Sequence, residues 1–204
     1  MTTFLLIRHA TACIAENVIA GRATGVHLSD SGVRQGGELA DRLSVLPISA
    51  VYSSPLERAI ETARPIARTR HLTLHISPAL NEMDYGNWTG ASLESLANDF
   101  LWRAFNSARS ATRIPCGEAI SEVQTRIVAE LGRLAAAHAH GMVTVVTHAE
   151  VIRTALSYYL GISNNLFGEL QISHASVSML QFTAGIGRVL RVNQTSDAPI
   201  IVDE

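Results

Sequence analysis

Histidine and arginine side chains stand directly after two apolar segments of the chain. His9 follows the segment "TFLLI" and Arg8, and His148 follows the segment "MVTVVT". Both segments have the length and composition of buried strands, and the carboxyl ends of parallel strands meet at one edge of a sheet, where ligands bind. We therefore expect the two imidazoles to lie close together, in a position to act on a bound ligand.

Two arginines give this expected site the chemistry of an anion pocket. Arg8 adjoins His9, and Arg58 falls in the first turn of a predicted helix that follows the predicted strand "ISAVYSS". Planar guanidinium groups match the charged oxygens of a phosphoryl group with paired hydrogen bonds, and a helix N-terminus adds its own positive dipole. The sequence thus predicts a phosphate site built from residues that are far apart along the chain.

The elements that must position these residues alternate between strand-length apolar runs and helix-length amphipathic segments. This alternation is typical of an α/β layered domain. Strands are predicted at "TFLLI", "ISAVYSS", "LTLHI", "MVTVVTH", "SVSMLQF" and "RVLRV". Helices are predicted over 28–46, 55–70, 92–108, about 118–139 and about 149–159.

Local signals suggest how some of these helices begin and end. Ser29 is the predicted N-cap of the first helix, and Val33 belongs to its predicted apolar stripe. Pro55 suits the first turn of the second helix, whereas Pro65 should kink or shorten that helix.

Composition favours one globular domain over residues 1–204. Hydrophobic residues make up 47% of the chain and charged residues 17%, which is enough apolar material for a sizeable core. The formal net charge of -2 supplies no bulk positive field, so we expect neither nucleic acid nor an anionic membrane as a partner. All 16 basic residues are arginine, and the lack of lysine excludes lysine Schiff-base chemistry and the lysine-containing P-loop.

Two further features predict a cytoplasmic protein. Cys13 and Cys116 are too few for a disulfide framework, and the N-terminus lacks the pattern of a signal peptide. No apolar run approaches the ~20 residues that span a bilayer. The sequence permits a homodimer without requiring one.

The remaining histidines that we considered lack a metal-binding pattern. His71, His75, His138 and His140 are interpreted as surface or capping residues. The spacing of His71 and His75 would suit a metal only on a helix, and that segment is predicted to be a strand. We therefore expect no metal site.

Several motifs, taken together and in order, resemble a known family. They are "LLIRHAT", the pair Gly21 and Arg22, "LSDSGVRQ", "VYSSPLERAIETA", "LNEMDYGNWTG", "PCGEA" and "VTHAEVIR". From about Phe4 to Tyr158 the chain resembles the histidine phosphatase superfamily, the phosphoglycerate-mutase-like proteins. The resemblance implies a three-layer α/β/α sandwich with a central, mostly parallel sheet. An insertion at about 88–115 is expected to lie over the active site.

The resemblance also implies catalytic roles. His9 would be the nucleophile that forms a phosphohistidine, and Arg8, Arg58 and His148 would bind the transferring phosphoryl group. Glu82 would act as general acid and then as general base. No metal or organic cofactor is implied.

Further residues are implied in substrate binding, and some of them depart from the family pattern. The implied binding residues, besides the arginines and His148 above, are Thr11, Gly21, Arg22 and Ala149. Asp84 is a nearby alternative to Glu82. Ala149 and Glu150 replace the usual glycine pair, so a negative charge is added near an anion site. Such departures leave the identity of the substrate open.

The leading functional hypothesis is a phosphomonoesterase acting on a small phosphorylated metabolite. One alternative is a phosphoglycerate-mutase-type phosphotransferase, although the short chain and its lack of lysine favour hydrolysis. Another is a non-catalytic phosphate-binding module. Arg103, Arg109 and Arg113 could grip a second acidic group of a substrate, but a solvated rim is the favoured interpretation. Oxidation of Cys13 or Cys116 is a less favoured route to regulation.

Overall fold

A computed structural model describes residues 1–195 of the chain, and its centre is a six-stranded sheet. The strand order is β3-β2-β4-β1-β5-β6. The strands are β1 (Thr2–Arg8), β2 (Ile48–Ser53), β3 (Leu74–Ile76), β4 (Met142–Thr147), β5 (Val177–Thr183) and β6 (Ile186–Gln194). The first four in the spatial order run parallel, whereas β5 is antiparallel to β1 and β6 is antiparallel to β5. The predicted α/β fold with a mostly parallel sheet is confirmed.

Helices cover both faces of this sheet. They are α1 (Asp30–Leu43), α2 (Glu57–Thr69), α3 (Leu93–Leu96), α4 (Phe100–Ser107), α5 (Ile120–Ala137) and α6 (Ala149–Leu160). Successive residues of a strand point to opposite faces. Phe4 and Leu6 of β1 therefore pack in a core cluster with residues of α5 and α6, while Leu5 and Ile7 pack with residues of α1 and α2. The result is the predicted three-layer sandwich.

The register of the parallel strands aligns the two predicted site segments. In the ladder between β1 and β4, Ile7 is opposite Val146 and Arg8 is opposite Thr147. Both strands therefore end at the same level of the sheet, and the next residue of each chain segment enters the same space above the sheet edge.

The first two helices follow the predictions in part. Ser29 caps α1 as predicted, since its hydroxyl accepts a hydrogen bond from the Gly32 N–H at 3.1 Å. Val33 is 61% exposed, so the predicted apolar stripe does not include it. Pro55 lies outside α2, and α2 continues through Pro65 to its end at Thr69. The buried residues that follow Pro65 pack in the core, which offsets the hydrogen bond that proline removes.

The segment predicted as one helix over 92–108 forms two. Asp99 separates α3 from α4, because its carboxylate accepts a hydrogen bond from the Trp102 N–H at 2.8 Å and thereby caps a new helix. The predicted helix from Glu118 begins at Ile120 instead. Within residues 1–195 no helix combines the length and the apolar character that crossing a membrane requires.

Close contact between α1 and the segment after β1 generates the first prediction. A Cβ atom at Gly32 would lie 1.9 Å from the carbonyl oxygen of Thr11, whereas a Cβ atom at Gly37 of the same helix would meet no atom within 4 Å. We expect Gly32→Ala to lower the free energy of unfolding by about 1–3 kcal/mol, because the backbone must shift. Gly37→Ala should raise it by up to about 1 kcal/mol through helix propensity. Urea denaturation measures the free energy of unfolding of both variants. Equal changes in the two variants would contradict the prediction.

Candidate active site

The two strand-end histidines lie against each other at the carboxyl edge of the sheet. Their ring centroids are 5.2 Å apart, and the backbone N–H of His9 donates a hydrogen bond to the Thr147 carbonyl at 2.9 Å. His9 is 7% exposed and His148 is fully buried. The structure thus brings together side chains that are 139 residues apart in the sequence (148 minus 9).

Hydrogen bonds define which nitrogen of His9 is available for chemistry. Nδ1 lies 2.8 Å from the carbonyl oxygen of Ala10, so it carries the proton and donates it. The Nε of Arg58 donates to Nε2 of His9 at 3.2 Å, so Nε2 presents its lone pair. Burial and the charge of Arg58 hold the pKa of His9 well below its usual value. His9 is therefore a neutral imidazole with a nucleophilic Nε2.

Arg58 links the parts of the site. Its side chain is 1% exposed, and Nη2 donates to the carbonyl of Gly21 at 2.8 Å and to Nδ1 of His148 at 3.4 Å. Nη1 is buried and has no hydrogen-bond partner among the described residues. Burial lowers the pKa of Arg58, although a guanidinium stays charged at neutral pH. A buried cation with an unmet donor is suited to bind an anion.

The Arg8 side chain is hydrogen-bonded to the segment that precedes β5. Its Nη1 donates to the carbonyl of Ile172 at 2.6 Å, and its Nη2 lies 2.8 Å from Nε2 of His174. Burial and the charge of Arg8 lower the pKa of His174 to about 4, so His174 is neutral and accepts this hydrogen bond. The Nε of Arg8 has no partner within the described part of the chain. Arg8 thus offers a second unmet donor to an anion.

Glu82 supplies the carboxyl group of the site. It is 9% exposed, and its Oε2 lies 3.9 Å from Nδ1 of His148. Burial, followed by the charge of Glu150, raises the pKa of Glu82 to about 7, against the opposing effect of a hydrogen bond from the Met83 N–H. A carboxyl group with this pKa can both give and take a proton near neutral pH.

His148 is oriented by a serine behind it. Its Nε2 lies 2.8 Å from the Ser54 hydroxyl, and because Nδ1 accepts from Arg58, Nε2 carries the proton and donates it. Burial and the neighbouring His9 hold the pKa of His148 well below its usual value. The ring is therefore neutral, with Nδ1 directed toward Arg58 and Glu82.

A cavity of about 580 Å³ lies over these groups. Of the residues predicted for the site, those that line it are Arg8, His9, Thr11, Gly21, Arg58, Glu82 and Ala149. This volume falls within the range of small-molecule sites, and it is larger than a phosphoryl group needs. His148 lies behind the lining, in contact with Arg58.

Arg22 and Asp84 have other contacts and do not line the cavity. The Nε of Arg22 donates to the Glu82 carbonyl at 2.7 Å, and its Nη2 is 2.9 Å from a carboxylate oxygen of Glu118. Asp84 forms an ion pair with Arg22 at 3.4 Å and accepts a hydrogen bond from the Gly86 N–H. Both residues hold the segment that carries Glu82 in place.

Some residues of the cavity wall were missed or assigned elsewhere by the sequence analysis. Those missed include His174, Tyr85, Trp102 and Arg153. His174 had a usable signal, because it closely precedes the predicted strand "SVSMLQF", whose antiparallel start lies at the same edge as the end of β1. Arg109 was assigned to a solvated rim but lines the wall with its side chain only 18% exposed.

The other side chains singled out from the sequence lie away from the cavity. Arg103, Arg113, Cys13 and Cys116 are exposed and do not line it. Within residues 1–195, no cluster of three or more histidine, cysteine, aspartate or glutamate side chains has the arrangement of a metal site.

Comparisons with known proteins indicate the family. The family model of the histidine phosphatase superfamily (branch 1) matches residues 4–195. Phosphoserine phosphatase 1 of Hydrogenobacter thermophilus is 28% identical over 96% of this chain and 93% of its own length. The bifunctional protein Rv2228c of Mycobacterium tuberculosis is 32% identical over 95% of this chain, which spans only 54% of that protein. Other matching relatives are named phosphoglycerate mutases.

Solved structures share the fold. Bacillus stearothermophilus YhfR superposes with a TM-score of 0.90 over 96% of this chain and 98% of its own, at 23% sequence identity. At this level of identity the likeness concerns the fold.

The contact between Arg8 and His174 generates the second prediction. His174→Leu should weaken the binding of inorganic phosphate about tenfold, because Arg8 loses an acceptor that holds its guanidinium in place. His174→Gln, which keeps an acceptor at a similar reach, should recover most of the loss. Isothermal titration calorimetry measures both. Equal affinities in the two variants would show that the acceptor has no role.

Proposed function

The chain belongs to the histidine phosphatase superfamily and acts as a phosphatase on small phosphorylated metabolites, and we propose that it does so through a phosphohistidine on His9. One observation carries this proposal. Nε2 of the neutral His9 is unprotonated and accepts a hydrogen bond from Arg58, and the cavity that His9 lines is also lined by Arg8 and Arg58, each of which has a buried hydrogen-bond donor without a partner among the described residues. A nucleophile and the cations that bind its electrophile are therefore preorganised in one place.

In the first step, Arg58 turns its Nε–H from Nε2 of His9 to a phosphoryl oxygen, and the lone pair that this frees on Nε2 attacks the phosphorus atom of the bound monoester. The phosphorus–nitrogen bond forms as the phosphorus–oxygen bond to the leaving group breaks, and protonated Glu82 gives its proton to the departing oxygen. Arg8 and Arg58 neutralise the charge on the phosphoryl oxygens. The proton of Nδ1 stays on His9, where the Ala10 carbonyl accepts it and stabilises the positive charge that develops on the ring.

In the second step, water replaces the alcohol. Ionised Glu82 takes a proton from the water as its oxygen attacks phosphorus, and the phosphorus–nitrogen bond breaks to return neutral His9. Inorganic phosphate leaves, and Glu82 is again protonated. One carboxyl group serves both steps because its pKa of about 7 lets both protonation states exist at neutral pH.

His148 assists by position. It is fully buried beside His9, and its Nδ1 faces Arg58 and Glu82. It orients both of these groups from behind the cavity wall. Thr11, Gly21 and Ala149 complete the wall around that group, and Arg22 acts indirectly through the Glu82 segment.

Several wider features stay predictions. We place the enzyme in the cytoplasm because its two cysteines, Cys13 and Cys116, are free and exposed, as suits a reducing compartment. Its partner is a small phosphorylated substrate, and it needs neither nucleic acid nor a membrane. An insertion at about 88–115 over the active site agrees with the position of Trp102 and Arg109 in the cavity wall. A homodimer is the oligomeric state to test.

A mutase is the alternative that matching relatives suggest. In a mutase the phosphohistidine returns its phosphoryl group to the substrate instead of to water. Incubation with 3-phosphoglycerate, with analysis of both free phosphate and phosphorylated products, separates the two reactions. Isomerised product without phosphate release would replace hydrolysis by transfer. Phosphate binding without either reaction would favour a non-catalytic module.

The role of Glu82 generates the third prediction. With an aryl phosphate, whose leaving group needs little protonation, Glu82→Gln should release about one equivalent of phenol rapidly and then stall, because no base activates water. With an alkyl phosphate its rate should fall about 10²–10⁴-fold. Stopped-flow and steady-state assays measure these effects. Asp84→Asn is the matched control and should stay within a few-fold of wild type; a burst in that variant would move the role to Asp84.

The raised pKa of Glu82 generates the fourth prediction. Glu82 must be protonated to act on the leaving group, so kcat/KM for an alkyl phosphate should fall as pH rises through about 7. The fall should approach tenfold per pH unit. An aryl phosphate should show a much weaker fall, since its first step does not need the proton. A pH profile of both substrates tests this, and an alkyl profile that stays level up to pH 9 would contradict it.

A further inference from the structure

Glu150 places a carboxylate in the wall of the cavity that Arg8 and Arg58 also line. It lies in the first turn of α6, two residues after His148, and its side chain is only 13% exposed. A largely buried negative charge opposes the binding of a phosphoryl dianion unless other groups compensate it. We therefore expect this carboxylate to be compensated by positive groups or to contribute to the function of the site.

Two arginines of the same wall are engaged with this carboxylate. Arg153 lies 2.7 Å from Oε1 of Glu150, and Arg109 lies 3.4 Å from Oε2. Each guanidinium also donates elsewhere: Arg153 to the Leu170 carbonyl at 2.8 Å, and Arg109 to the Asn106 side chain at 3.0 Å. A substrate carboxylate that approached either arginine would compete with Glu150 and would lie beside its charge.

The charges that line the cavity divide into two groups. Arg8 and Arg58 face the phosphoryl site. Beyond them, the described wall carries two positive residues, Arg109 and Arg153, and two negative ones, Glu150 and Glu16, besides the protonatable Glu82. Two positive and two negative charges cancel, so the wall beyond Arg8 and Arg58 has no net charge while Glu82 is protonated.

Apolar side chains complete this side of the cavity. Trp102, Leu93, Ile14 and Val18 line the wall, so much of its surface offers contact without charge. The carboxylate of Glu150 keeps lone pairs that can accept hydrogen bonds from a hydroxyl group. Such a surface complements a neutral leaving group better than a charged one.

We propose that Glu150 makes the cavity selective for phosphomonoesters with a neutral, hydroxyl-bearing leaving group and excludes substrates that carry a second anion. This inference rests on the proposed phosphatase function and names its substrate class. It makes Glu150 a specificity-determining residue, acting through the charge that it places beside the leaving group.

Two probes isolate this charge. Glycerol 3-phosphate and 3-phosphoglycerate differ only in that a hydroxymethyl group of the first is a carboxylate in the second. Wild-type kcat/KM should be at least tenfold higher for glycerol 3-phosphate. In Glu150→Gln the ratio of kcat/KM for glycerol 3-phosphate to that for 3-phosphoglycerate should decrease at least tenfold, mainly because hydrolysis of 3-phosphoglycerate becomes faster.

The matched control is Glu94→Gln, which removes the same charge from an exposed residue of α3 that does not line the cavity. It should leave the ratio within twofold of wild type.

The pH profile gives a second reading of the same variant. The charged groups that act on Glu82 are Glu150 of α6, Arg58 of α2, Arg126 of α5 and Arg8 of β1, and His148 lies beside it as a neutral ring. Because the charge of Glu150 raises the pKa of Glu82, Glu150→Gln should shift the basic limb of the alkyl-phosphate profile to lower pH. A basic limb at the same pH in Glu150→Gln and wild type would show that the charge of Glu150 does not act on Glu82.

A measurement on the unmodified protein covers the case in which Glu150→Gln does not fold. As inhibitors of aryl phosphate hydrolysis by wild type, 3-phosphoglycerate should be at least tenfold weaker than glycerol 3-phosphate. Three results would overturn the inference but not the proposed function. They are equal inhibition by the two compounds, stronger inhibition by 3-phosphoglycerate, and a ratio of the two kcat/KM values that is the same in Glu150→Gln as in Glu94→Gln. A wild-type protein that hydrolyses no phosphomonoester, the aryl phosphate included, would overturn the proposed function and the inference with it.

Discussion

The buried guanidinium of Arg58 is the interaction on which the rest of the site depends. It donates to Nε2 of His9, to the carbonyl of Gly21 and to Nδ1 of His148, and so joins the helix after β2 to the ends of β1 and β4. None of these three hydrogen-bond partners is an anion, although the charges of Glu82 and Glu57 also act on Arg58. Burying a charge without a hydrogen-bonded counter-ion is costly, and part of the folding free energy therefore maintains a cavity that is complementary to a phosphoryl dianion.

Burial sets the protonation states of the site, and Arg58 acts with it on the imidazoles. Burial and the neighbouring charges, that of Arg58 among them, lower the pKa values of His9 and His148 so that both rings are neutral, while burial and the charge of Glu150 raise the pKa of Glu82 to about 7 against the opposing charge of Arg58. A nucleophile needs a lone pair and a general acid needs a proton, and both are present at the same pH. The same burial thus acts in opposite directions on imidazole and carboxyl groups to produce a working pair.

Much of this site could be predicted from the sequence, and the rest could not, for physical reasons. His9 and His148 follow apolar strand runs, and the rule that parallel strands end at one sheet edge brings them together. Arg109 could not be placed, because no local pattern distinguishes an arginine on a solvated helix from one that turns into a cavity. Glu150 was recognised as an unusual charge, but its ion pairs depend on how the segment around α4 packs against α6, which no periodicity encodes. Pro65 misled because the packing of later residues maintains the helix beyond it.

The covalent role of His9 is the central claim, and mapping of the phosphorylated residue tests it most directly. Wild-type enzyme would be quenched in base during turnover, since base preserves phosphohistidine, then digested and analysed by mass spectrometry. We expect a single phosphorylated peptide, with the phosphoryl group on His9. A phosphoryl group on any other side chain, or rapid turnover with no phosphorylated peptide at any quench time, would contradict the account.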